Sequence, residues 1–109
     1  LIPIEGDIAT EFIKNLNDSV VRTVIPAQTY KGQEVDISTV AFPIVLYVDE
    51  SASEEMVYEF TKVFWEHLPE LHESLPATQS LNKEVAIEGI KTPLHPGAVK
   101  YFKEAGMMD

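Results

Sequence analysis

The chain has 109 residues, 45% of them apolar, and 18 acidic against eight basic side chains give it a formal net charge of −10. That length allows one domain with its own core, and the acidity disfavours nucleic acid and anionic membrane surfaces as partners, because both repel a negatively charged protein. The sequence has no cysteine, which excludes disulfides, zinc–thiolate sites and thiol nucleophiles. A small anionic ligand stays compatible with the charge, since a pocket depends on its own few donors.

The N-terminal residues predict a strand end, a helix and a strand. Residues 1–4 have the composition of a strand terminus, and Asp7 is suited to be the N-cap of the helix. The apolar face of this helix has helical spacing and comprises Ile8, Phe12, Ile13 and Leu16. The residues expected to end it are Asn15, Asn17 and Asp18. Residues 20–25 are rich in β-branched side chains and predict a strand that Pro26 stops.

Residues 40–48 form the longest apolar run of the sequence. The run falls short of the roughly 18 residues of a membrane-spanning helix and is typical of a strand buried on both faces of a parallel sheet. Pro43 lacks the N–H that a ladder needs, so we expect pairing to be interrupted there, as at a bulge or an edge strand. Residues 29–38, which precede this run, carry several polar side chains and predict a loop.

Residues 54–68 show the clearest amphipathic pattern in the chain. Ser51 and Glu54 fit a capping box at its start, and Pro69 is expected to end or kink the helix. We expect Phe60 and Phe64 to be buried on the inner face, so that Phe60→Ala costs about 3–5 kcal/mol. The apolar positions that support this prediction are Met56, Val57, Phe60, Val63, Phe64 and Leu68.

Two further helices are predicted towards the C-terminus. Residues 82–90 have apolar side chains suited to a short helix that begins near Asn82 and weakens at Gly89. Pro96 suits the first turn of another helix, and Gly106 suits the left-handed residue that closes it. Together the elements predict an α/β fold class, with a mixed or parallel sheet and flanking helices.

The densest set of potential catalytic or metal-binding side chains lies in residues 66–73. A metalloprotease helix needs two histidines at i and i+4, but His67 and His72 stand at i and i+5 with Pro69 between them. A solvated surface is therefore the favoured interpretation, and a metal site is the alternative. The sequence contains no nucleophile elbow and no phosphate-binding glycine motif, so no catalytic residue, metal ligand or cofactor is predicted.

Two isolated side chains each admit two roles. His95 precedes Pro96, where it either contacts the backbone at the start of the helix, which is the favoured interpretation, or senses pH and orients a ligand. Arg22, the only arginine, is able to clamp a carboxylate, but an exposed side chain is the simpler expectation.

Gln28, Thr29 and Tyr30 are the candidate ligand-binding residues. They follow a predicted strand and precede a loop, which is where ligand contacts gather in α/β folds. The equal alternative is a structural turn in which Tyr30 packs its ring and forms a hydrogen bond with a neighbour.

Four blocks of the sequence share an order with a known family. They are IPAQTYKGQ (25–33), VAFPIVLYV (40–48), EMVYEFTK (55–62) and TPLHPGAVKYFKEAG (92–106). In this order they resemble the TAXI family of extracytoplasmic solute receptors, which serve TRAP transporters. Gln28 stands where that family usually has glycine, so a left-handed backbone at this position would be strained.

This resemblance implies a type II-like periplasmic-binding-protein fold, whose two lobes close on a ligand by hinge motion. Such a receptor would capture an amino acid such as glutamate, or another small carboxylate, and deliver it to the TRAP membrane permease component. The resemblance implies neither enzymatic activity nor a cofactor. It places the protein in the periplasm or another extracytoplasmic compartment, with a signal peptide expected on the full-length protein.

The resemblance further implies that the chain is the C-terminal portion of a receptor. Residues 1–42 would then belong to the second lobe and the crossover, and residues 43–109 to the crossover strand and the C-terminal helices. Because such a portion lacks part of its cover, we expect an exposed apolar patch or self-association. The competing interpretation is a self-contained small α/β domain, either an interaction module or an enzyme that uses the Glu66–Glu73 cluster.

Overall fold

The computed structural model describes residues 1–16 and 19–109, which divide into two compact units. The first unit comprises Leu1–Val45 with Glu88–Lys91, and the second comprises Leu46–Ile87 with Thr92–Asp109. The described residues contain four α-helices, one short 3₁₀ helix and a two-stranded antiparallel sheet, so the predicted mixture of helix and strand is confirmed. None of the helices in this part of the chain has the length and apolar character of a membrane span.

Helix α1 of the first unit spans Gly6–Asn15 and begins after a residue with extended backbone angles and no side-chain cap bond. Asp7 therefore lies in the first turn and is not the predicted N-cap. That place still suits its carboxylate, because the N-terminal end of a helix carries a partial positive charge. Asn15 is the last helical residue, as predicted, whereas Asn17 and Asp18 lie outside the described residues.

Strands β1 (Val21–Ile25) and β2 (Ile37–Ala41) pair antiparallel along their whole lengths. The first strand is as predicted. The second begins inside the stretch predicted to be a loop, where β-branched side chains favour extended backbone. Upstream, the backbone N–H of Ile4 donates to the carbonyl of Ser38 at 2.9 Å, although residues 1–4 form no strand.

The prediction of a buried strand over residues 40–48 in a parallel sheet is wrong. Strand β2 ends at Ala41, the sheet is antiparallel, and Ile44 is fully exposed. Pro43 explains why pairing stops, because it lacks the N–H that would continue the ladder. The apolar character of this run is therefore not matched by burial, and its strongly exposed members are Phe42, Ile44, Leu46 and Tyr47.

Helix α2 of the second unit spans Glu54–Glu66. Its N-cap is Ser53, whose hydroxyl accepts a hydrogen bond from the backbone N–H of Met56 at 3.2 Å. The predicted capping box with Ser51 is wrong, because that side chain and its backbone N–H both donate to the carboxylate of Asp49.

Helix α3 (Leu68–Ser74) follows α2 directly and has Pro69 in its first turn, and a 3₁₀ helix spans Pro76–Thr78. The proline therefore ends α2, as predicted, since its ring is tolerated at the start of a helix but not inside one.

The helix predicted over residues 82–90 is wrong, because residues 83–89 form turns. The side-chain oxygen of Asn82 accepts the backbone N–H groups of Glu84 and Val85 at 2.9 and 3.3 Å, as at the start of a helix, but the chain then forms turns and Gly89 is left-handed with φ of 75°.

Helix α4 (Pro96–Glu104) begins and ends where the sequence predicts. Pro96 occupies its first turn, where the missing N–H costs nothing. At the other end Gly106 is left-handed with φ of 69°, and the Met107 N–H donates to the Phe102 carbonyl at 2.8 Å. This pattern is a Schellman motif, which satisfies a carbonyl at the end of the helix.

The core of the second unit lies where α2 and α3 meet α4. Its buried members are Trp65, Leu68, Tyr101 and Phe102. The rings of Trp65 and Phe102 meet edge to face with centroids 6.3 Å apart, a favoured arrangement of aromatic pairs.

The predicted inner face of α2 is wrong at Phe60, which is 55% exposed, and correct only in part at Phe64, which is half-buried. The buried positions of the helix are Val57, Thr61 and Trp65, spaced i, i+4 and i+8. The Thr61 hydroxyl is satisfied in this face because it donates to the Val57 carbonyl at 2.7 Å. Because α2 carries two apolar stripes, periodicity alone does not say which of them is covered.

A polar contact joins α2 to α4 beside this core. The Tyr58 hydroxyl donates to Glu104 Oε2 at 2.6 Å, and Lys100 Nζ lies 4.9 Å from the centre of the tyrosine ring. The hydrogen bond to Glu104, with smaller contributions from burial and nearby negative charge, raises the pKa of Tyr58 to about 12.

We expect Tyr58 to ionise at a higher pH than an unfolded tyrosine. Its folded pKa lies above the value of about 10 for an unfolded tyrosine, so the folded state holds the proton more tightly. This contribution to stability is complete below pH 10 or so and is lost as the pH rises through the folded value. In a spectrophotometric titration of phenolate, Tyr58→Phe should remove an ionisation step near pH 12. Tyr47→Phe is the exposed control, and loss of that step in the control alone would contradict the assignment.

Candidate functional site

The candidate ligand residues lie in the connection between β1 and β2, which contains two consecutive turns. In residues 26–29 the last backbone N–H donates to the first carbonyl at 3.2 Å, and in residues 30–33 the equivalent distance is 3.1 Å. The third residue of each turn is left-handed, with φ of 66° at Gln28 and 83° at Gly32. A positive φ at the third residue but not at the second is the mark of a type II turn.

Gln28 has the left-handed backbone that, by the resemblance to TAXI receptors, would be strained at this position. It is the only residue other than glycine with a positive φ in residues 1–16 and 19–109. A left-handed backbone costs a residue that has a Cβ about 1–2 kcal/mol. Gly32 holds the same place in the second turn without that cost. Strain of this kind is concentrated at functional sites, which makes Gln28 the residue of most interest in the loop.

The side chain of Gln33 ties the loop together from inside. It is only 9% exposed. Its Oε1 accepts the backbone N–H of Tyr30 at 3.3 Å, and its Nε2 lies within hydrogen-bond distance of three carbonyl oxygens. These carbonyls belong to Ile25, Pro26 and Val35, at 3.1, 3.0 and 3.0 Å. Sequence reasoning missed this role, although the glutamine belongs to the first of the four blocks.

Two of the three predicted ligand residues line a surface depression and the third does not. Gln28 and Tyr30 border an open depression of about 360 Å³. Tyr30 is 56% exposed, so its ring does not pack as the structural alternative required. The Thr29 hydroxyl donates to the Pro26 carbonyl at 2.7 Å, so this side chain stabilises the first turn.

The depression brings together polar groups of both signs beside an aromatic ring. Lys31 supplies a cation and Glu34 a carboxylate, and both line the same space as Gln28 and Tyr30. The Gln28 amide is able to donate and to accept hydrogen bonds. These groups suit a small polar ligand held by hydrogen bonds and charge, with the tyrosine ring as an apolar surface.

Arg22 is exposed, as expected, and is held against α1. Its Nη2 donates to Thr10 Oγ1 at 2.6 Å and lies 3.4 Å from the Gly6 carbonyl oxygen. A second open depression of about 290 Å³ borders this side chain, and Glu5 lines it too. A carboxylate ligand would meet that negative charge, so the geometry favours a structural role for the arginine.

The histidines of residues 66–73 are engaged locally. His67 Nδ1 lies 2.8 Å from Glu70 Oε2 in an exposed pair, and His72 Nε2 donates to the Leu81 carbonyl at 3.0 Å. Within the described residues, no group of three or more histidine, aspartate or glutamate side chains is placed to hold a metal ion. In this part of the chain, the side chains of residues 66–73 therefore do not converge on a single site.

His95 makes the local backbone contacts that were favoured for it. Its Nδ1 accepts the Gly97 N–H at 3.1 Å, and its Nε2 donates to the Ala52 carbonyl at 3.0 Å. These two bonds together assign the proton to Nε2. The side chain thus caps α4 and ties its start to the residues before α2.

We expect Gln28→Gly to raise the free energy of unfolding by about 1 kcal/mol, because glycine adopts the left-handed backbone without a Cβ penalty. Urea denaturation followed by far-UV circular dichroism measures the change. Gln79→Gly is the matched control, since Gln79 has right-handed helical angles and glycine there should give no gain. An equal gain in both variants would show that the left-handed backbone at Gln28 is not the source of the effect.

A comparison with protein families gives a match that spans nearly the whole chain. The model of the NMT1-like family matches residues 1–106. The match includes every helix and strand described above and the loop between β1 and β2. This family is related to periplasmic solute-binding proteins and is generally extracytoplasmic. Since the match covers far more than half of the sequence, the chain belongs to the NMT1-like family.

Proposed function

We propose that this protein acts in an extracytoplasmic solute receptor of the TAXI type, which captures an amino acid or another small carboxylate for a TRAP-type secondary transporter. The family match over residues 1–106 carries the proposal, because it supports a role of the periplasmic solute-binding kind. The four blocks shared with TAXI receptors supply the finer assignment. On this proposal the protein is not an enzyme, needs no cofactor, and has a TRAP membrane permease component as its partner.

The side chains of the loop between β1 and β2 favour the binding of a solute that carries charges of both signs. An amino acid presents a carboxylate and an ammonium group, and the depression offers Lys31 and Glu34 as their counterparts. Gln28 adds an amide, and the exposed Tyr30 ring adds apolar surface. The net charge of −10 does not oppose this, since the local donors and acceptors determine what the loop binds.

Uncovered apolar surface supports a place within a larger, two-lobed receptor. In the second unit, one stripe of α2 remains exposed at helical spacing and comprises Met56, Phe60 and Val63. In the first unit, Ile8 and Phe12 are exposed on α1 although they belong to its predicted apolar face. Apolar side chains exposed in rows are typical of surfaces that another part of a protein, or a second copy, covers.

The binding proposal is tested by titrating L-glutamate into the isotope-labelled 109-residue chain and following its backbone amide resonances. We expect shifts confined to residues 28–34, and a dissociation constant raised about ten-fold by Lys31→Ala, since one charged contact contributes roughly 1.4 kcal/mol. Lys83→Ala is the matched control, an exposed lysine in the other unit that should leave binding unchanged.

Glutarate serves as the matched ligand, because it has both carboxylates of glutamate and no ammonium group. Weaker binding of glutarate would support recognition of both charges. Equal binding of the two ligands would contradict the role given to Glu34. Shifts outside the loop, or none with either ligand, would contradict the placement of the site.

The enzyme alternative has no observation in its favour among the described residues. His67 and His72 are each engaged by a local partner, and no metal-holding group includes them.

A further inference from the structure

We infer that Gln33 is the positioning residue of this loop: it holds Gln28 in the left-handed conformation and so places the Gln28 amide at the depression. The inference rests on the proposed function only for what the loop binds. The positioning role itself follows from contacts within the loop. No residue of the second unit takes part in it.

The first step is that one buried amide spans the whole base of the loop. The Nε2 of Gln33 reaches Ile25 and Pro26 at the end of β1, and Val35 shortly before β2. Its Oε1 holds the backbone N–H of Tyr30 at the start of the second turn. An amide group carries two N–H donors and a carbonyl acceptor on one side chain, so no aliphatic or carboxylate side chain reproduces this set.

The second step is that Gln33 contacts the strained turn at two of its residues, Pro26 and Gln28. The backbone N–H of Gln28 donates to the Gln33 carbonyl at 2.8 Å. The Pro26 carbonyl, which closes the turn by accepting the Thr29 N–H, also accepts from Gln33 Nε2 at 3.0 Å. The side chain of Gln28 forms no hydrogen bond of its own among the described residues, so its left-handed φ depends on bonds made by its neighbours. Besides the bonds to Gln33, these include the Ala27 N–H, which donates to Asp36 Oδ1 at 2.8 Å.

The third step separates this role from ordinary stabilisation. A side chain that merely stabilises the unit would do so equally whether residue 28 is strained or not. A positioning residue stores strain at Gln28, and that strain disappears when the loop is released. Relief of the strain should therefore increase stability only while Gln33 is in place.

A double-mutant cycle with Gln28→Gly and Gln33→Glu tests the inference. The second change keeps the shape and the acceptor but places an oxygen where Nε2 faces three carbonyls. In the otherwise unaltered chain, Gln28→Gly should raise the ratio of folded to unfolded protein about five-fold. In the Gln33→Glu background it should change that ratio by less than about two-fold. An equal gain in both backgrounds would overturn the inference.

Amide hydrogen exchange reports the loop itself and is independent of any ligand. Gln33→Glu should speed exchange at the backbone amides of Gln28 and Thr29 by about ten-fold or more, while the amides of α4 keep their rates. Gln79→Glu is the matched control for the added charge and should leave both sets unchanged. Unchanged exchange at Gln28 in the Gln33→Glu chain would also overturn the inference.

The L-glutamate titration distinguishes this inference from the proposed function. If the unaltered chain binds L-glutamate, Gln33→Glu should weaken binding about as strongly as Lys31→Ala does, roughly ten-fold. If amide exchange shows that the loop of the Gln33→Glu chain has opened but L-glutamate still binds with unchanged affinity, then the position of Gln28 does not matter for binding, and this part of the inference is overturned. If the double-mutant cycle is non-additive but the unaltered chain does not bind L-glutamate, the positioning role is supported and the proposed ligand is contradicted.

Discussion

Replacing Trp65 with alanine is expected to lower the free energy of unfolding of the second unit by about 3–5 kcal/mol. The indole is only 7% exposed and belongs to the core formed with Leu68, Tyr101 and Phe102. Its ring also meets that of Phe64 edge to face, with centroids 5.6 Å apart. Alanine would leave a cavity and remove these aromatic contacts, and both losses act in the same direction.

Phe60→Ala is the matched control, because it truncates a large aromatic side chain on the same helix. Phe60 is 55% exposed, so its loss should cost less than about 1 kcal/mol. Urea denaturation followed by far-UV circular dichroism suits both variants, since tryptophan fluorescence is lost with Trp65. A cost for Phe60→Ala as large as that for Trp65→Ala would show that the other stripe of α2 is the one that is covered.

Gly97→Ala is expected to destabilise the second unit by up to about 3 kcal/mol, the upper end of the range for overpacking. A Cβ on this residue would lie 2.7 Å from the backbone nitrogen of Tyr58 and 2.9 Å from Val57 Cβ, and it would also meet the Glu54 carbonyl oxygen. Two of these atoms are backbone, so no side-chain rotation relieves the overlap. Helices α2 and α4 would have to separate, which uncovers the core beside them.

Gly6→Ala is the control that isolates backbone strain. Gly6 has φ of 61°, and a Cβ there would meet nothing within 4 Å, so only the left-handed penalty of about 1 kcal/mol should appear. Gly97 has no positive φ, and its expected loss therefore arises from overlap alone. A loss for Gly97→Ala no larger than that for Gly6→Ala would contradict the close approach of the two helices.

The sequence predicted most reliably what short-range rules decide. The limits of α4 follow from Pro96 and Gly106, because proline suits the first turn and glycine the left-handed closing residue. The end of α2 follows from Pro69 in the same way. The cost of a left-handed backbone at Gln28 was also predictable, since the resemblance places glycine there, but that the backbone is left-handed was not.

The candidate site could be predicted only in part. Gln28 and Tyr30 were chosen because they follow a strand, and both border the depression. Gln33 gave no such signal, because a glutamine in a polar loop is ordinary and its four hydrogen-bond partners are backbone groups. Lys31 and Glu34 were likewise passed over, since charged residues in loops usually face solvent without binding anything.

By itself the sequence therefore determined the mixture of helix and strand, the position of β1, and the extent of α2 and α4. Those features depend on capping, proline, glycine and periodicity, which act over a few residues. Only the tertiary structure decided which stripe of α2 is buried, because that depends on where α4 packs. It also decided that residues 42–48 leave the sheet and that Gln33 turns inward, because both depend on hydrogen-bond partners that only the folded chain brings within reach.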